Sequence, residues 1–214
     1  MKKAINKILI ISNVILLSGC SCSYKHTKWH QDVERNNLSF TKLRYSLHDQ
    51  DTLTIITYLK DNTEIDGYPC KEGWVHFTKS WEPKLFCLYE NYSINNVELP
   101  GGTWIKLKPD SNIFSVVFPK NTFIDDYECK GGGGVTGVQT SFYNSGKLRS
   151  FFSDKPIIIN GIKCKGGMIN LITLHENGKL KSCKLDEDII VEGNTIKKGS
   201  VIRTDALGKI IDYE

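Results

Sequence analysis

The sequence predicts an all-β chain: an antiparallel meander of about five stacked β-hairpin repeats, built as a single sheet or an open β-solenoid. Three observations carry this. First, one motif recurs as Ile65-Asp-Gly-Tyr-Pro-Cys70, Ile94-Asn-Asn-Val-Glu-Leu99, Ile124-Asp-Asp-Tyr-Glu-Cys129, Ile159-Asn-Gly-Ile-Lys-Cys164 and Val191-Glu-Gly-Asn-Thr-Ile196, with starts 29, 30, 35 and 32 residues apart. A fixed period of this size is the signature of a repeat architecture. Second, the residues between motifs alternate. Val75/Phe77, Ile105/Leu107, Thr140/Phe142, Ile172/Leu174 and Ile202/Thr204 share one face, and His76, Lys106, Ser141, Thr173 and Arg203 share the other. A period of two with a polar alternate face is a half-buried strand. Third, Ser145-Gly146 and Asn177-Gly178 supply the positive-φ residues of tight hairpins.

Taken in order, residues 1–19 have the parts of an export signal. Lys2, Lys3 and Lys7 form a positive start, Ile8 to Leu17 a short apolar run, and Leu17-Ser18-Gly19 a small-residue site. The apolar run is shorter than the roughly 20 residues a spanning helix needs. Residues 20–37 are polar apart from Tyr24 and Trp29 and read as a flexible tether. Residues 38–214 form the repeat domain, with a degenerate half-unit at 47–64 and full units starting near 65, 94, 124, 159 and 191. Each unit reads as about three short strands. A glycine-bearing step follows each motif, and then a hairpin, clearest at Phe142 to Leu148 and Leu174 to Leu180.

Three of the 28 Lys and Arg residues precede Cys20, but none of the 24 Asp and Glu, so the chain from Cys20 onward has 25 basic and 24 acidic residues. Near-neutrality argues against nucleic-acid binding, which needs a basic face with interleaved aromatics.

Leu17-Ser18-Gly19-Cys20 resembles the lipobox of bacterial lipoproteins. The resemblance implies cleavage before Cys20, lipidation of its thiol with a palmitate-type chain, and membrane attachment through that lipid. Ser21, which is not the aspartate of inner-membrane retention, implies outer-membrane placement if the cell has two membranes. Phe142 to Leu148 and Leu174 to Leu180 resemble the hairpin repeats of MORN-type proteins, and Ile159 to Gly167 resembles repeats of uncharacterised bacterial lipoproteins. Together these cover about residues 47–214, although the units are longer than standard MORN repeats and lack their tyrosine/tryptophan-glycine-x-tryptophan opening. The resemblance implies β-repeats and no reaction.

With Cys20 lipidated, Cys22, Cys70, Cys87, Cys129, Cys164 and Cys183 remain. Cys70, Cys129 and Cys164 hold the repeat position that Leu99 and Ile196 fill elsewhere, which marks a small apolar core site suited to a free thiol. The alternative is one or more disulfides among Cys70, Cys87, Cys129, Cys164 and Cys183, as an exported chain permits. In a simple meander, alternate strands lie about 9.5 Å apart, beyond disulfide reach.

Catalytic and metal signals are absent from the pattern, and no cofactor is expected. Gly132 to Gly137 has dinucleotide-like glycine spacing but lies in a loop of a β-repeat, without the parallel sheet and helix that motif needs. The five histidines show no zinc-like spacing, and Asp186-Glu187-Asp188 sits in a turn between units. Trp74, Trp81, Trp104, Tyr89 and Tyr92 cluster in the first two units. They suit a surface for an envelope protein or glycan, the alternative being that they cover a second core. The expected function is therefore a lipid-anchored, non-enzymatic binding or scaffolding module of the cell envelope. An envelope hydrolase acting on cell-wall or carbohydrate material, and an immunity- or antitoxin-like protein, stand as alternatives.

Overall fold

The structure is a computed structural model that describes residues 25–48, 52–108 and 113–214. Cys20, Cys22 and the signal-like segment lie outside the described residues. Four strands open the chain: β1 (Lys25–His26), β2 (His30–Arg35), β3 (Leu38–His48) and β4 (Thr52–Leu59). Five units of four strands follow. The first holds β5 (Thr63–Ile65), β6 (Tyr68–Cys70), β7 (Gly73–Phe77) and β8 (Pro83–Cys87); the second β9 (Tyr92–Ile94), β10 (Val97–Leu99), β11 (Trp104–Lys106) and β12 (Ile113–Val117). The third holds β13 (Thr122–Ile124), β14 (Tyr127–Cys129), β15 (Thr140–Tyr143) and β16 (Leu148–Phe151); the fourth β17 (Ile157–Ile159), β18 (Ile162–Cys164), β19 (Ile172–Leu174) and β20 (Leu180–Lys184). The last holds β21 (Ile189–Val191), β22 (Asn194–Ile196), β23 (Val201–Thr204) and β24 (Ile210–Tyr213). No α-helix occurs among the described residues, and none of their helices is long and apolar enough to cross a membrane.

The expected antiparallel meander is present. A single open sheet of 14 strands runs β1-β3-β4-β7-β8-β11-β12-β15-β16-β19-β20-β23-β24, with β2 also on β3. Each unit has four strands rather than three. Its recurring motif folds back on itself as a separate two-stranded hairpin (β5–β6, β9–β10, β13–β14, β17–β18 and β21–β22) that leaves the large sheet. The reason lies inside the motif. Asp66-Gly67, Asn95-Asn96, Asn160-Gly161 and Glu192-Gly193 all have positive φ at both positions, as a two-residue turn matched to strand twist requires. Strands β1 and β2 also fall within residues 20–37: from Lys25 the expected tether already adds to the sheet edge, with Val33 opposite Phe40.

The core lies between the large sheet and the side hairpins. Ile65, Val97, Ile124 and Ile159 come from the hairpins, and Phe77, Phe86, Ile105, Phe142, Phe151, Ile172 and Ile202 from the sheet. Cys70, Leu99, Cys129, Cys164 and Ile196, at one repeat position, are all between 0 and 2% exposed. Two devices hold hairpins and units together. The side-chain oxygens of Asn62, Asn91, Asn121 and Asp188 accept from the backbone N–H ten residues later, at Glu72, Gly101, Gly131 and Lys198, which ties off the base of four hairpins. Pro156 stands at the corresponding place in the fourth unit. Successive sheet hairpins are linked by Tyr143 Oη donating to the Leu174 carbonyl and Asn177 Nδ2 to the Ala206 carbonyl. Gly146 is required where it stands: φ is +82°, and a Cβ there would run into the Asn95 carbonyl of the neighbouring side hairpin.

Candidate functional site

The hairpins cover one face of the large sheet and leave the other uncovered. Directly opposed residues on an antiparallel sheet share a face, so the register defines one continuous open-face row. It runs Arg44, Ile56, His76, Leu85, Lys106, Ser115, Ser141, Ser150, Thr173, Ser182, Arg203, Asp212. The five polar residues expected on one face all fall in it. Its middle is a run of hydroxyls, with Ser141 and Ser150 bonded to each other and Thr173 2.7 Å from Ser182.

Charge is divided between the two layers. The ten large-sheet strands from β3 to β20 contain Lys42, Arg44, Lys84, Lys106, Arg149, Lys181 and Lys184 and no carboxylate. The five side hairpins with their turns contain Glu64, Asp66, Glu98, Asp125, Asp126, Glu128 and Glu192 against Lys163 alone. The near-neutral total therefore conceals a basic sheet and an acidic cover. Expecting no basic face from net charge was an error, since opposite charges on opposite layers cancel in the sum but not in the field at either surface.

β-Bulges place several of these cations. His76 opposes Leu85 and Phe77 opposes Pro83, so Lys84 is the extra residue and emerges beside Leu85 on the open face. The same register shift leaves Arg149 and Lys181 as the extra residues of later units.

At the N-terminal end, aromatics crowd this face. Trp74 lies against Tyr58 (5.3 Å between ring centroids) and Trp29 (5.8 Å), and Lys42 Nζ sits 4.7 Å from the Trp74 ring centre, 5.3 Å from Trp29 and 5.6 Å from Tyr58. Arg44 stacks over Trp29 at 4.4 Å. Such cation–π contacts draw the positive charge onto the ring faces. Farther along, Trp104 opposes Val117 and borders a cleft of about 340 Å³ whose floor includes Ile56, His76, Leu85 and Lys106. Val135 and Gln139, from the glycine-rich loop around the 3₁₀ turn Gly134–Thr136, border its far side. No Asp or Glu lines it among the described residues. Burial, followed by neighbouring Lys84 and Arg44, pushes His76 down to about 4, so its imidazole is neutral at pH 7.

The five aromatics singled out in the sequence do not form one patch. Trp74 and Trp104 share the open face, two strand spacings (about 10 Å) apart. Trp81 packs on the core side against Phe77 (5.3 Å) and Phe40 (6.1 Å), with Arg35 over its ring. Tyr92 joins Tyr68 in the hairpin layer at 5.6 Å, and Tyr89 is exposed at the corner before β9. Trp29, Tyr58, Lys42 and Arg44 were missed. Their signal was the alternation of Ile55 to Leu59, which puts Tyr58 on the face of Trp74.

Cys70, Cys87, Cys129, Cys164 and Cys183 are free and buried. Cys183 shares its place with Phe86, opposite Ile202 as Phe86 is opposite Ile105. Cys87, one residue later, opposes Trp104 on the other face. No cluster of three or more metal-ligating side chains occurs among the described residues. Compared with known proteins, the chain matches no family model, no curated protein and no solved structure.

Proposed function

We propose that this chain is a lipid-anchored binding module of a bacterial envelope, which holds its partner on the open face of the large sheet. The observation that supports this best is the division of the molecule into a basic, aromatic-bearing sheet and an acidic hairpin cover. A sheet whose ten strands from β3 to β20 carry seven cations and no carboxylate attracts a polyanion at long range. Among the described residues the lining of the cleft holds no carboxylate, so it lends no support to the hydrolase alternative, whose glycoside chemistry commonly employs a carboxylate pair.

Anchoring and binding are tested separately. Metabolic labelling with palmitate is expected to mark the wild-type chain and to disappear in Cys20→Ala, which also leaves the membrane fraction. Persistent labelling of that variant would refute the anchor. For binding, the detergent-solubilised full chain is expected to retain envelope material that is lost with Lys42→Ala combined with Trp74→Ala. The same material should be unaffected by Ile158→Ala on the hairpin side, where that side chain is 69% exposed. The reverse pattern would move the binding face to the hairpins.

A further inference from the structure

We propose that the cleft on the open face takes an acidic oligosaccharide, with the exocyclic carboxylate of a uronate-type sugar between Lys84 and Lys106 and the sugar ring against Trp104. This rests on the open-face reading above and adds the class of ligand.

Lys106 directly opposes Leu85, and the bulge sets Lys84 beside Leu85, so two ammonium groups line the same recess. Neither has a carboxylate partner among the described residues. The contrast with the hairpin side is sharp: Lys130 pairs with Asp154, Lys163 with Asp186 and Glu187, and Lys197 with Asp188. Two cations lining one recess set up a positive potential there, and an anion placed between them is attracted by both.

Trp104 lies two residues from Lys106 on the same strand and face, about 7 Å away along the backbone. The flexible four-carbon stem of each lysine lets its ammonium reach the exocyclic carboxylate of a pyranose seated on the indole. The half-buried indole offers a flat apolar surface for a sugar's C–H face. His76 stays neutral there, so its ring nitrogens can both donate to and accept from sugar hydroxyls.

The cleft opens onto the row Ser115, Ser141, Ser150, Thr173 and Ser182, with the bulge residues Arg149 and Lys181 alongside. A longer acidic chain would meet hydroxyls and cations in sequence. The recess favours a glycan over a flat anionic bilayer: Ser115 and Ser141 are only 6 and 8% exposed, below the reach of a planar headgroup surface. Export to the envelope favours a glycan over a nucleic acid.

The test is calorimetric titration of the full chain, in non-ionic detergent, with tetragalacturonate and with its methyl ester. Tetragalacturonate is expected to bind, and the uncharged ester to bind at least tenfold more weakly. Lys84→Ala and Lys106→Ala should each weaken binding about tenfold, the effect of losing one charge-assisted hydrogen bond, whereas Lys163→Ala leaves it unchanged. Trp104→Ala should abolish binding and Trp104→Phe restore part of it, with near-ultraviolet circular dichroism confirming the fold of every variant. No heat of binding at millimolar tetragalacturonate, equal affinity for the ester, or indifference to both lysines would overturn the proposal. So would tighter binding of a single-stranded oligonucleotide or of phosphatidylglycerol vesicles at matched charge. If any of these occurs while Lys42→Ala with Trp74→Ala still loses envelope material, the ligand class fails and the open-face reading survives. If that material is retained by the variant, the reading itself fails.

Discussion

Replacing Phe142 by alanine is expected to lower the unfolding free energy by about 3–5 kcal/mol, the range for emptying a fully buried aromatic site. Phe142 is 0% exposed, opposes Phe114 across the strand pair and stacks on its ring at 4.9 Å and 13°. It sits in the middle unit of an array in which each unit touches chiefly its neighbours, so the cavity also weakens the coupling between the two halves. The four tryptophans, Trp29, Trp74, Trp81 and Trp104, all precede it. Tryptophan fluorescence therefore reports the first half of the array and far-ultraviolet circular dichroism the whole. In urea the two transitions should coincide for the wild type and separate for Phe142→Ala, the fluorescence change then lagging. Phe123→Ala removes a ring that is 70% exposed, and should stay within about 0.5 kcal/mol of wild type. Similar losses for the two variants would contradict the two-layer packing.

The same packing explains what could be read in the sequence. The five motifs, the alternation in the strands between them and the open meander were legible because repetition averages over local irregularity. His76, Lys106, Ser141, Thr173 and Arg203 do share one face. The extra strand in each unit was legible too and was overlooked: Asp66-Gly67 and Asn160-Gly161 are strong two-residue hairpin turns, sitting between Ile65 and Tyr68 and between Ile159 and Ile162. Reading them as part of a linear strand merged two strands into one. That error hid the second layer, and with it the division of charge, because Glu64, Glu98 and Glu128 could then not be assigned to a layer of their own. The repeating Asn62, Asn91, Asn121 and Asp188 offered a further clue, each three residues before its motif.

The candidate site was harder. Trp74 and Trp104 fall by parity on the face of His76 and Lys106, whereas Trp81 follows a left-handed residue geometry (φ +68°) that turns it toward Phe40 and the core. Lys84 was illegible without the register. A strictly alternating strand would direct it to the same side as Phe86, and only the shift opposite His76 and Phe77 brings it out. Bulges are decided by pairing with a neighbouring strand, which a single sequence states only indirectly.

Alkaline pH is expected to destabilise the fold through its buried thiols, and valine at two of them to remove much of that sensitivity. Burial, with Asp66 and then Cys87 adding, pushes the Cys70 thiol up to about 12, and burial does the same for Cys129. Cys164 is raised as well, first by its hydrogen bond with Cys183 and then by burial. In the unfolded chain these thiols return to ordinary values near 9. Between about pH 9 and 12, unfolded chains have released protons that the folded chain still holds. The unfolded state thus binds fewer protons, and stability falls as pH rises. Below pH 9 both states are protonated and the full stability is present. The slope is about 1.4 kcal/mol per pH unit for each such thiol, so Cys70 and Cys129 together remove about 3 kcal/mol by pH 10. Leu99 and Ile196 already occupy the corresponding site in other units, each at most 2% exposed, and this makes the double variant Cys70→Val, Cys129→Val a repacking of similar volume. At pH 7 it should unfold within about 1.5 kcal/mol of wild type per site. Urea midpoints measured from pH 7 to 10.5 should then fall steeply for the wild type and with a visibly shallower slope for the double variant. Parallel curves would mean that these thiols are not held protonated in a dry core, and that the hairpin layer covers the sheet less completely than its geometry requires.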